Sequence, residues 1–148
     1  MADVVQEIKT SIAGTIVGLF PTKTESKYVW DLARNQNQKN ANLYAIRPGE
    51  IFRVPGVTKN VTVDQTFSVI LSTSYNDSPS NDQDLQDKIF DLFDNVTDLW
   101  GEIFRSKCGN ARVLVVSDFE SDRPEINDKD RVVSIETRFT VKYRMEVV

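Results

Sequence analysis

From Val133 onward every second residue has core character: Val133, Ile135, Thr137, Phe139, Val141, Tyr143, Met145 and Val147. The residues between them, Ser134, Glu136, Arg138, Thr140, Lys142, Arg144 and Glu146, are all polar. Side chains of a strand alternate between two faces, so Arg131 to Val148 predicts one long strand with a dry side and a wet side. Such alternation belongs to an antiparallel sheet with one face open to water. The same period recurs upstream, where Val61, Val63, Phe67, Val69 and Leu71 alternate with Thr62, Asp64, Thr66 and Ser68, predicting a second long strand that ends near Tyr75. Shorter strands are expected at Leu43 to Arg47 and Ile51 to Val54. Pro48-Gly49 between them suits the centre of a type II turn, and Pro55-Gly56 turns the chain again. Arg112 to Phe119 is a further strand, joined to the last one by a hairpin loop over Glu120 to Asp130.

In two segments the period changes to that of a helix. Val5, Ile8, Ile12, Ile16 and Leu19 recur at steps of three and four, with Asp3 and Gln6 in capping-box spacing and Pro21 closing the run. Gly14 and Gly18 form a small-xxx-small pair. In a membrane such a pair marks helix dimerisation, and beside flanks this short and polar it marks close packing on a neighbouring element. The second helix carries Leu85, Ile89, Leu92, Val96, Leu99 and Ile103, with Phe93 and Trp100 widening the stripe. Ser80 and Gln83 supply a capping box, Asp82 and Asp84 suit the N-terminal dipole, Arg105 and Lys107 the C-terminal one, and Gly109 a left-handed stop. Thr22 to Asn42 shows no period: an apolar cluster of Tyr28, Val29, Trp30 and Leu32 precedes the polar tract Arg34 to Asn40. A connection of this length is a core-anchored loop or a segment that orders against a partner. Together these elements predict one α+β domain over residues 1–148, a mostly antiparallel sheet of about four main strands with two helices packed on one face.

Composition narrows the chemistry. A chain of 148 residues with 40% hydrophobic content has material for one real core. Its 22 acidic against 18 basic residues give a formal charge of −4, so no basic field draws it to nucleic acid or membranes. It has no histidine, which removes the commonest general base and metal ligand, and Cys108 has no cysteine with which to form an internal disulfide. Met1-Ala2-Asp3 lacks the basic start of a signal peptide, and the apolar runs are too short to cross a bilayer, so synthesis in the cytoplasm is expected. Neither a phosphate-cradling glycine loop nor a dinucleotide fingerprint appears. Asn76-Asp77, Asp118 to Asp122 and Asn127 to Asp130 lack the alternating ligands of a calcium loop and read as turns. The reading is a protein that is not an enzyme, with no catalytic residue, cofactor or metal.

One pattern exceeds what packing requires. Asp84, Asp87, Asp91, Asp94, Asp98 and Glu102 repeat along the second helix at its own spacing, opposite the apolar stripe, with Lys88 only at the edge. A solvated face usually mixes signs, because opposite charges one turn apart stabilise a helix and like charges do not. Two readings stand: a solvated face, or a wall that meets a polyanion without holding it, with Asp87, Asp91, Asp94 and Asp98 lining a DNA conduit.

Tyr44-Ala-Ile-Arg-Pro-Gly-Glu50, Val63-Asp-Gln-Thr-Phe-Ser-Val-Ile-Leu71, Asp84-Leu-Gln-Asp-Lys-Ile-Phe-Asp-Leu92 and Ile135-Glu-Thr-Arg-Phe-Thr-Val-Lys-Tyr-Arg144 together resemble the tail terminator, or tail completion, proteins of long-tailed bacteriophages. The resemblance spans about Leu43 to Arg144 in order and spacing and rests on the whole pattern, since the family has no catalytic signature. It implies a structural virion protein at the tail–head junction: a homo-oligomeric ring, commonly a hexamer, that caps the tail tube, ends tube polymerisation and joins the head. Tube protein and a head-completion or neck protein would be its partners, and DNA would pass through without specific binding. Other neck proteins, head–tail stoppers and adaptors, share this outline and form the alternative, with a small enzyme of unknown class behind them. The first helix and Thr22 to Asn42 match poorly. Placing Tyr28, Trp30, Arg34 and Lys39 of that tract against a neighbouring subunit is an expectation from its composition.

Overall fold

A computed structural model of the chain describes residues 4–26, 42–54, 60–76, 82–128 and 131–146. The elements in chain order are α1 (Val4–Leu19), β1 (Thr24–Glu25), β2 (Leu43–Val54), β3 (Asn60–Ser74), α2 (Gln83–Ser106), a short 3-10 turn (Lys107–Gly109), β4 (Val113–Ser121), β5 (Glu125–Asn127) and β6 (Val132–Glu146). The strands form one sheet in the order β1-β2-β3-β6-β4, with β5 also on β6. All pairings are antiparallel except the short β1–β2 contact. The class is therefore α+β with a six-stranded, mostly antiparallel sheet.

The two long alternating segments are partners. β3 and β6 run in unbroken register from Asn60↔Glu146 to Ser74↔Val132. Their odd-numbered residues share one side of the sheet. Val63, Phe67, Val69 and Leu71 meet Ile135, Phe139, Val141 and Tyr143 there, all in the main core. The buried residues of α1 (Val4, Ile8, Ile12, Ile16) and of α2 (Leu92, Val96, Leu99, Ile103) join the same cluster. Three polar residues within this dry side are satisfied. Thr137 Oγ1 accepts from Trp100 Nε1 at 2.7 Å and donates to the Glu120 carbonyl at 2.7 Å. The Tyr143 hydroxyl donates to Gln65 Oε1 at 3.0 Å.

β4 and β5 share the remaining edge of β6, β4 along Thr137 to Tyr143 and β5 along Val132 to Ser134. The expected hairpin between Arg112–Phe119 and the last strand is present, and the loop expected over Glu120 to Asp130 contains β5 itself. β4 is broken by two register shifts, and Asp118 within it has φ +56°.

Three expectations are corrected. Pro48-Gly49 is not a turn between two strands but a register shift inside one continuous β2. Proline has no ladder donor and is tolerated at such irregularities. Gly49 lacks the positive φ a type II turn demands, and a Cβ there would lie 3.0 Å from the Thr66 carbonyl oxygen. The cap of α2 is Asp82 rather than Ser80, without a side-chain cap bond, and Ser80 lies outside the described residues, as do Asp3, Pro55 and Gly56. Gly14 and Gly18 are exposed, and nothing lies within 4 Å of where their Cβ atoms would be, so they do not pack against another element of the chain.

The reverse of the sheet is not uniformly wet either. Leu43, Ala45, Ile70 and Ser72 are buried there, while further along Arg47 pairs with Glu136 at 3.3 Å. Arg138 pairs with Asp122, Glu120 and Glu136 at 2.7, 3.3 and 3.5 Å.

Candidate functional site

Helix α2 supplies the most patterned surface of the molecule. At about 100° per residue its circumference divides into three sectors. One holds Leu92, Val96, Leu99 and Ile103 against the sheet. The second holds Asp87, Asp91, Asp94 and Asp98, all exposed. Among the described residues no ion pair reaches these four; Asp87 only accepts from Gln83 Nε2 at 2.8 Å. The ends of the stripe are engaged: Asp84 Oδ2 accepts the Asn76 N–H at 2.6 Å, and Glu102 binds Arg105 at 2.6 Å. The aspartates brought together along one helix face thus form a line of uncompensated charge, at a small cost from like-charge neighbours one turn apart.

The third sector was not legible as such. Phe90, Phe93 and Phe104 are 64%, 42% and 63% exposed and stand between the acidic sector and β4. Phe93 was expected in the buried stripe, and helical geometry carries it past the sheet instead. Trp100, expected beside it, does pack inward: its ring lies 5.7 Å from Phe119, which contacts Phe139 at 5.9 Å and Phe104 at 6.4 Å. The acidic residues therefore occupy one flank of the exposed side, and aromatic rings the other.

A polar cleft of about 440 Å³ opens between the end of α1 and α2, lined by Leu19, Lys23, Asn42, Lys88, Asp91 and Asn95 among others. Lys23, only 8% exposed, donates to Asn42 Oδ1 at 2.8 Å and to the Ser72 carbonyl at 2.9 Å. Burial pulls its ammonium down from 10.5 to about 8. Both acceptors are neutral, and the amine ties the start of β1 to β3 across β2. Cys108 is buried and burial pushes its thiol up to about 12, away from nucleophilic use.

The acidic turns do not converge. Asp122 and Glu120 are ion-pair partners of Arg138, Asn127 ends β5, and among the described residues no group of three or more potential ligands is placed to hold a metal ion. No helix among them is long and apolar enough to cross a membrane. Tyr28, Trp30, Arg34 and Lys39 lie outside the described residues. No family model and no curated protein matches the chain.

Proposed function

We propose that the chain is a structural protein of a long-tailed phage particle, a terminator-type subunit with four main strands and two helices on one face. As a ring it caps the tail tube, stops its growth and forms the joint to the head. The observation that carries the reading is the line of Asp87, Asp91, Asp94 and Asp98 on α2, exposed and without an ion-pair partner. A ring whose subunits turn this face inward has a channel wall that repels phosphate, so DNA meets no adhesive surface as it passes. Ring closure needs a head-to-tail contact that closes by rotation.

Tube protein polymerised with this protein present should give short tubes with a ring at one end in electron micrographs. Tubes that lengthen as fast as without it overturn the reading. The channel assignment has its own test. Replacing the four aspartates with lysine should leave folding intact, since exposed sites shift stability by about 0.5 kcal/mol or less. The variant ring should gain affinity for double-stranded DNA that falls with salt, the log–log slope steepening by about 0.9 per phosphate contact. A ring with these aspartates on its outer wall refutes the assignment.

A further inference from the structure

Lys23 is a buried amine held by neutral groups alone. Its Nζ donates to Asn42 Oδ1 at 2.8 Å and to the Ser72 carbonyl at 2.9 Å. The Asn42 amide is itself oriented by its nitrogen, which donates to the Thr22 carbonyl and Oγ1, both at 3.2 Å. Among the described residues no carboxylate pairs with Lys23. An ammonium carries three N–H groups, and this one has two acceptors within the chain, so one donor of a buried charge is left over. Burial without a counter-charge is what lowers this ammonium to about 8.

The amine stands at the cleft between the end of α1 and α2. Lys23 and Asn42 line it, and so does Thr73, the residue after the Ser72 carbonyl. The helix wall of the cleft is graded. Leu92 is fully buried, and Lys88 and Asn95, one turn before and after it, are half-buried. Asp91 and Asp94 lie further round the helix and are exposed. Bases and amides therefore occupy the floor of the cleft and carboxylates its mouth. Among the described residues none of Lys88, Asp91 and Asp94 has an ion-pair partner. Leu19, Phe20 and Pro21 add an apolar wall.

We propose that this cleft binds a small zwitterion, an α-amino acid with an apolar side chain. Its carboxylate takes the left-over N–H of Lys23 and the ammonium of Lys88 at the floor. Its own ammonium meets Asp91 and Asp94 at the mouth, and its side chain lies along Leu19, Phe20 and Pro21. With Lys23 charged, two ammonium groups and two carboxylates leave the cleft neutral, and a ligand neutral overall keeps it so. A plain anion would be repelled at the mouth and a plain cation at the floor. A bound carboxylate also supplies the charged acceptor that Lys23 lacks, and charge-assisted bonds of this kind are the strong ones. The site and the ring reading do not depend on each other.

The test titrates the full chain with L-leucine and reads amide shifts by NMR. Shifts should centre on Lys23, Asn42, Lys88, Asp91 and Asn95. N-acetyl-L-leucine, which lacks the ammonium, and L-leucinamide, which lacks the carboxylate, should each bind about tenfold more weakly or worse, the effect of one lost charged hydrogen bond. Lys88→Met and Asp91→Asn, neither at a fully buried position, should weaken leucine by a similar factor while the melting curve stays unchanged. Lys23 has its own readout. At pH 8 about half of the Lys23 amines are neutral, so leucine binding should take up about half a proton, seen as a heat that differs between buffers. The inference is overturned if leucine moves no cleft residue at millimolar concentrations. It is also overturned if either analogue binds as well as leucine, which would make the site one for a simple anion or cation. Binding without proton uptake removes Lys23 as the partner of the carboxylate, and binding unchanged in both variants removes the floor and mouth assignment.

Discussion

Lys23 and Cys108 are both buried, and they push stability in opposite directions with pH. The Lys23 ammonium is lowered from 10.5 to about 8 by burial, so the unfolded chain holds its proton more tightly than the folded one. Stability from this group therefore rises as pH climbs from about 8 to 10.5, by up to about 3 kcal/mol. The Cys108 thiol is raised from 9.0 to about 12, so its contribution is complete below pH 9 and is lost as pH rises toward 12. In Lys23→Met the rise above pH 8 should vanish, leaving only the alkaline fall; urea unfolding at pH 7, 9 and 10 reads the difference. A variant whose pH profile parallels wild type would mean that the amine is hydrated. The sequence offered no sign of this lysine's burial. Its neighbours show no period, and its two acceptors come from Asn42 and Ser72, 19 and 49 residues away.

At the scale of elements, whatever repeats was legible. The four-and-three spacing of α1 and α2 and the strict alternation of β3 and β6 each demand one backbone geometry, so their identity followed from the residues. β1 and β5, at two and three residues, are too short to carry a period and exist only because a longer strand lies beside them. Pro48-Gly49 misled for a related reason: locally it is turn chemistry, and only the register with β3 makes it a bulge. The acidic sector of α2 was legible, but Phe93 beside it is assigned by hydrophobicity to the buried stripe, and Phe90 and Phe104 carry no signal of a shared exposed face. The end of α2 holds a testable compromise. Lys107 closes the helix at φ 53° with its N–H bonded to the Ile103 carbonyl, and Cys108 and Gly109 follow at φ 59° and 64°. Of the three only Gly109, the expected stop, adopts this conformation without strain. Lys107→Gly should raise stability by about 1 kcal/mol, and no gain in a denaturant melt would show that Lys107 is not strained there.

On the scale of the whole molecule, the antiparallel sheet and its helical cover followed from the pattern of the chain. The order of the strands did not, because alternation fixes which face is dry and not which strand lies next to which. The structure makes β6, the last element in chain order, an interior strand, bonded to β3 on one edge and to β4 and β5 on the other. Without it, β1, β2 and β3 remain as one group, and β4 and β5 lose the one strand partner they have among the described residues. This has a consequence for synthesis. The β3–β6 pairing joins residues 60–74 to residues 132–146, so its loop-closure entropy must be met before any reward arrives. While a ribosome is still making residues 132–146 the emerging chain cannot build its core, and Phe67, Leu92 and Leu99 are left facing solvent or a chaperone. A chain ended at Arg131 should show no cooperative thermal transition and should bind a hydrophobic dye, and a sharp melt from it would contradict the point. Folding here waits until residues 132–146 have cleared the ribosome, so copies growing side by side on one messenger stay unfolded together until that segment of each emerges.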